Sequence, residues 1–144
     1  METKNANGGA GFTEYNDGTI QFETTQWSQG YYDNGKIWQT FTLPEGKYEM
    51  RIEVKNAANI GSGSTNIHFA VAQGESLPDN EELEKSDIIL SYLKFESEHT
   101  NKTSALPIFE LTEEKTITVG WVVSFSDICR NIGFKSVRLW SVAE

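Results

Sequence analysis

From Thr19 onward, apolar and polar residues alternate with a period of two: Ile20 and Phe22, then Ile37, Phe41 and Leu43, then Tyr48, Met50, Ile52 and Val54, then Ile67, Phe69 and Val71. That period places successive side chains on opposite faces of an extended chain, so each segment reads as a strand with one buried face. Segments 88–95, 106–111, 116–125 and 133–142 repeat the pattern and bring the count to eight strands. Within 116–125, Ile117, Val119, Trp121, Val123 and Phe125 share a face, which assigns Trp121 to the core and not to a ligand platform. Between strands 36–43 and 47–55, the run Leu43-Pro44-Glu45-Gly46-Lys47 puts proline where a turn wants φ near −65° and glycine where backbone strain must be relieved, which predicts a tight hairpin.

Two stretches break the alternation. Residues 1–19 are polar, rich in Gly and Asn and without period, and read as a flexible N-terminal segment ahead of a domain over 20–144. Residues 79–85 follow Pro78 and open with acidic side chains, but they carry one apolar residue, Leu83, and read as a solvated turn. Short strands at near-regular spacing, with Gly, Pro and Asn between them, predict an all-β fold: an antiparallel jelly-roll β-sandwich, monomeric.

Composition narrows the function classes. With 12 Lys and Arg against 21 Asp and Glu the net charge is −9, and the three arginines, Arg51, Arg130 and Arg138, are scattered singly. The sequence shows no basic stripe to neutralise phosphates, which argues against nucleic acid as a partner. No apolar run approaches the 18 residues of a helical membrane span, so no membrane insertion by this domain is expected. Cys129 is the single cysteine, which excludes an internal disulfide and reads as a small buried hydrophobe. Residues 2–11 lack the basic-then-apolar order of a signal peptide, which predicts either a cytoplasmic chain or a domain belonging to a larger protein.

No catalytic constellation emerges. His68 lies inside a strand and His99 in a polar loop, and Glu81, Glu82, Glu84, Glu113 and Glu114 sit in charged runs that solvate a surface. A glycosidase needs two carboxylates facing across a cleft, one of them desolvated, and nothing here predicts that. Asp33-Asn34-Gly35 and Asn16-Asp17-Gly18 resemble fragments of calcium loops, but neither continues to a closing glutamate, and both are ordinary turn signals. Asn101-Lys102-Thr103 is a glycosylation sequon short enough to arise by chance.

The segment Trp27 to Trp38 is the richest in ligand chemistry. Sugars offer an apolar C–H face with polar edges, so a site wants an aromatic ring beside Asn, Asp or Arg. Trp27, Tyr31 and Tyr32 supply rings, and Asp33 and Asn34 supply polar groups; the alternative is that Trp27 plugs the sandwich and the tyrosines flank a turn. Trp38 is out of phase with Ile37 and Phe41, so it faces away from the main core and is either a binding residue or covered. If consecutive strands run antiparallel, loops 27–35, 56–64, 96–105 and 126–132 collect at one end, adding Asn59, Asp127 and Arg130 to the candidate site. The acidic 74–86 loop falls at the other end by the same argument.

The runs Lys36-Ile-Trp-Gln-Thr-Phe-Thr-Leu-Pro-Glu-Gly-Lys-Tyr-Glu-Met-Arg-Ile-Glu-Val-Lys55 and Gly133-Phe-Lys-Ser-Val-Arg-Leu-Trp140 resemble the galactose-binding-like β-sandwich, in the style of C-terminal domains of surface lipoproteins from Bacteroides-type gut bacteria. The resemblance covers about residues 20–142. It implies a non-catalytic carbohydrate-binding module of an extracellular or cell-surface protein, with a glycan as partner and no cofactor beyond a structural calcium in some members. The competing expectation is a structural or protein-interaction domain without sugar binding.

Overall fold

The computed structural model describes residues 2–4, 12–14, 20–24, 32–58, 65–125 and 130–143. Two antiparallel sheets face each other. The first runs in the order β1 (Glu2–Lys4), β4 (Tyr32–Leu43), β10 (Lys115–Phe125), β6 (Thr65–Gln73), β7 (Ile89–Lys94). The second runs β2 (Phe12–Glu14), β3 (Ile20–Thr24), β11 (Arg130–Val142), β5 (Gly46–Ala58), β8 (Lys102–Ala105), with β9 (Phe109–Leu111) pairing the start of β5. The antiparallel β-sandwich expected from the period-two pattern is what the chain forms. β1 and β2 fall within the stretch 1–19 read as a flexible lead-in, and each extends a sheet by backbone pairing that needs no apolar alternation.

The inward faces make one core. Ile52, Phe69, Trp121 and Phe125 are buried, and the Trp121 ring packs against Phe69, Phe95 and Phe134 at centroid distances of 5.2, 4.8 and 5.0 Å. Trp121 is core, as its phase predicts. The 43–47 hairpin forms with Gly46 at φ +154°, and Tyr48 Oη donates to the Pro44 carbonyl at 2.8 Å. Phe41, expected in the core, is half-buried. β3 pairs β11 only over Arg130–Phe134, so among the described residues the second sheet stops short beneath the far half of β4. A cleft of about 270 Å³ opens there between the sheets, over Phe69, Val119, Trp121 and Phe134.

The largest departure from the sequence reading is segment 74–88. It leaves β6 at Gly74, whose N–H donates to the Thr116 carbonyl, and crosses the outer face of the first sheet. Its helical turn α1 (Asn80–Leu83) sits beside Asn34, Asn66 and Ser124, and the chain returns to bond Gln73 N–H through the Ile88 carbonyl. Residues 79–85 are therefore no solvated turn at the far end. Leu77 and Leu83 are buried against Ala70, Ala72 and Val122, and Trp38 packs on the same cluster. Trp38 is covered. It sits in register with Gly120, where any Cβ would collide with the Ile37 carbonyl, so glycine lets β4 and β10 approach.

Candidate functional site

The strand registers bring Thr24, Tyr32, Ala58, Thr65, Phe125 and Arg130 to one end of the sandwich, through the pairs Phe125↔Tyr32, Phe125↔Thr65, Asn131↔Ala58 and Arg130↔Thr24. Thr100 reaches the same end, its hydroxyl bonded to both the N–H and the carbonyl of Ala57. Of the site residues expected there, Trp27, Tyr31, Asn59 and Asp127 lie outside the described residues, as do the side chains of Tyr32 and Arg130. Asp33 is exposed.

Asn34, expected as a ligand contact, has its side chain engaged within the protein. It sits in a β-bulge at φ +56°, where Val123 pairs Gly35 and Phe125 pairs Tyr32, so Asp33-Asn34-Gly35 is a distorted strand and not a turn. Its side chain is buried, with Oδ1 accepting the Asn80 N–H at 2.7 Å and Nδ2 donating to Asp33 at 3.3 Å and Glu81 at 3.2 Å. An amide engaged on these sides holds α1 in place and has little left for a sugar hydroxyl. Among the described residues no group of three or more His, Cys, Asp or Glu could hold a metal ion.

On the outer face of the first sheet, His68 is buried between Asn80 Oδ1 at 2.8 Å and Glu84 Oε2 at 2.7 Å. The Asn80 Nδ2 donates to the Asn66 carbonyl and to Ser124 Oγ, which aims its oxygen at the imidazole. Glu84 is held below its usual carboxylate range, chiefly by the hydrogen bond from His68, against a smaller opposing effect of burial. Asn, His and Glu in line have the look of a catalytic relay. Both imidazole nitrogens are already occupied, so the cluster has no free base to offer a substrate and fastens segment 74–88 instead.

Among the described residues, nothing lies over the outer face of the second sheet. β5 turns Tyr48, Met50, Ile52 and Val54 inward and Glu49, Arg51, Glu53 and Lys55 outward, and β11 turns Ser136, Arg138 and Trp140 outward beside them. The register makes Trp140 the partner of Glu49, Arg138 of Arg51 and Ser136 of Glu53. Trp140 is 48% exposed. Two shallow depressions of about 160 and 200 Å³ meet at Glu53 and Thr103, the first bounded by Trp140 and Arg138, the second by Lys55, Lys102 and Lys135. Arg51 Nε donates to Glu49 at 2.7 Å, and Ser136 Oγ donates to Glu53 at 3.2 Å.

Residues 1–120 match a family model described as "Domain of unknown function (DUF5013)". The chain belongs to the DUF5013 family. No curated protein matches the sequence. The DUF5013 fold is similar to the xylan-binding module CBM15, with a TM-score of 0.55 at 13% identity over 99% of this chain and 91% of that one. It is similar to the K1 cleaved adhesin domain of Lys-gingipain from Porphyromonas gingivalis, with a TM-score of 0.52 at 14% identity over 99% and 90%. It also resembles part of Xylanase10C from Cellvibrio japonicus, solved with xylopentaose, at 0.55 and 13% over 98% of this chain and 27% of that one. At these identities the likeness is one of fold.

What the open face of the DUF5013 sandwich offers chemically is a flat indole edged by hydrogen-bonding and charged groups. The sequence carried the signal in its alternation. The phase that turns Val137 and Leu139 toward the core, where they are partly buried, turns Arg138 and Trp140 out, and the phase of Met50 and Ile52 turns out Arg51 and Glu53. Trp140 is a lone ring among charged and small residues, whereas the 27–38 segment concentrates four rings, so aromatic density alone favours the loops over the sheet face that Trp140 occupies.

Proposed function

We propose that this domain is a non-catalytic carbohydrate-binding module, working as part of an extracellular or cell-surface protein. The observation that carries the reading is Trp140, half-exposed on a rigid strand face with Arg138, Glu53, Ser136 and Thr103 around it. An indole takes the C–H face of a pyranose, and the flanking groups take its hydroxyls. Binding on so shallow a surface exchanges hydrogen bonds with water for hydrogen bonds with protein and gains mainly from stacking. A dissociation constant of about 0.01–1 mM is expected, or roughly 4–7 kcal/mol.

The loop end with Trp27, Tyr31, Tyr32, Asp33, Asn34, Asn59, Asp127 and Arg130 is the second surface for a glycan, supported by the convergence of strand ends there. A glycan array followed by titration calorimetry tests both. The expected result is loss of binding in Trp140→Ala with an unchanged melting temperature, and retention in Trp27→Ala and Tyr32→Ala. The reverse pattern moves the site to the loops. If the array retains nothing, the protein-interaction reading replaces this one.

A further inference from the structure

The open face of the second sheet gathers cations that the sequence scatters. Arg51, Lys55, Lys102, Lys135 and Arg138 all border the two joined depressions, five of the chain's 12 cationic residues in a protein of net charge −9. The same depressions hold Glu53, which accepts from Ser136, and Glu49 pairs with Arg51 beside them. Arg51 and Arg138 are direct cross-strand partners. Like charges placed opposite each other weaken a strand pair, and Glu49 offsets only one of the two. Arg138 has no ion pair among the described residues, and its guanidinium stands two residues before Trp140 on the same face.

We infer that this face recognises an acidic polysaccharide, one carrying uronic-acid carboxylates, with Trp140 stacking on a sugar ring and Arg138 and Arg51 taking the carboxylate. The inference rests on the glycan-binding reading above and names its ligand class. A guanidinium matches a carboxylate with two parallel N–H···O bonds, which a neutral sugar cannot repay. The arrangement of ring and cations favours this ligand over nucleic acid, because the indole lies at one end of the cationic patch and not interleaved along it.

Calorimetry with hexagalacturonic acid and with xylohexaose, at about 50 mM and about 1 M salt, tests it. The expected result is acidic hexamer binding roughly tenfold tighter at low salt, with that advantage lost at high salt and lost in Arg138→Gln, which melts no lower than wild type because it relieves the like-charge pair with Arg51. Trp140→Ala weakens both ligands. Equal affinity for the two hexamers overturns the inference and leaves the glycan reading standing. Binding of neither hexamer overturns both. Unchanged preference in Arg138→Gln overturns the role given to that guanidinium, and a single-stranded DNA oligomer that competes as well as the acidic hexamer shows a surface that reads charge and not sugar.

Discussion

The two outer faces of this sandwich are built from strands of the same kind and end up with opposite characters. On the first sheet, Ala70, Ala72, Val122 and Trp38 point outward and would expose an apolar patch, and segment 74–88 covers it with Leu77 and Leu83. On the second sheet the outward positions are Glu49, Arg51, Glu53, Arg138 and Trp140, and nothing described lies over them. The sealed face is fixed by the Asn34, Asn80, His68 and Glu84 network, in which buried polar atoms find partners. A face that must stay covered is made apolar and stapled. The other face keeps a polar, solvated surface around one large ring, as the proposed glycan site requires.

Uncapping the sealed face should have the largest effect. Leu83 is fully buried, and Leu83→Ala should cost about 2–5 kcal/mol, read as a lower urea midpoint. The same variant should leave binding at Trp140 untouched, since the two faces are separate. Next in size is Asn80→Ala, which leaves the His68 nitrogen, the Asn66 carbonyl and Ser124 Oγ without that partner; a loss of about 1–3 kcal/mol is expected. Faster amide exchange confined to 74–88 would place the loss in the staple and not in the core.

The smallest effect concerns pH. Glu84 has a lowered carboxyl pKa when folded, so the unfolded chain takes up its proton first as acid is added. Its contribution is complete above the ordinary glutamate value of about 4.3 and fades as the pH falls through the lower folded one. Stability measured against pH should show this in the wild type, and Glu84→Gln should flatten the acid limb. Because Glu84 is half-exposed, the effect is modest.

The strands were legible because each buries one face: the period-two runs in β4, β5, β10 and β11 are cores read directly from spacing. Segment 74–88 was not, because Leu77 and Leu83 follow neither helical nor strand period and their value depends on a sheet formed elsewhere. The cationic face was hidden for a related reason. Arg51 and Arg138 are neighbours only through the β5 and β11 register, and register between distant strands leaves no local mark. Asn34 shows the converse, a residue whose turn-like neighbours suggest ligand chemistry and whose amide supports α1.

The order of strands has a consequence for how the protein is made. β10 is the middle strand of the first sheet and β11 the middle strand of the second, and in sequence order they follow every other described strand of the sandwich. Until Lys115–Phe125 and Arg130–Val142 leave the ribosome, β4 has no bridge to β6 and β3 none to β5. The nascent chain must hold four incomplete sheet fragments with their apolar faces unmatched, at a synthesis rate of about 5–20 residues per second. Folding then waits on long-range pairing, the slowest kind, and a chaperone that shields those fragments would act during the seconds before the two keystone strands arrive.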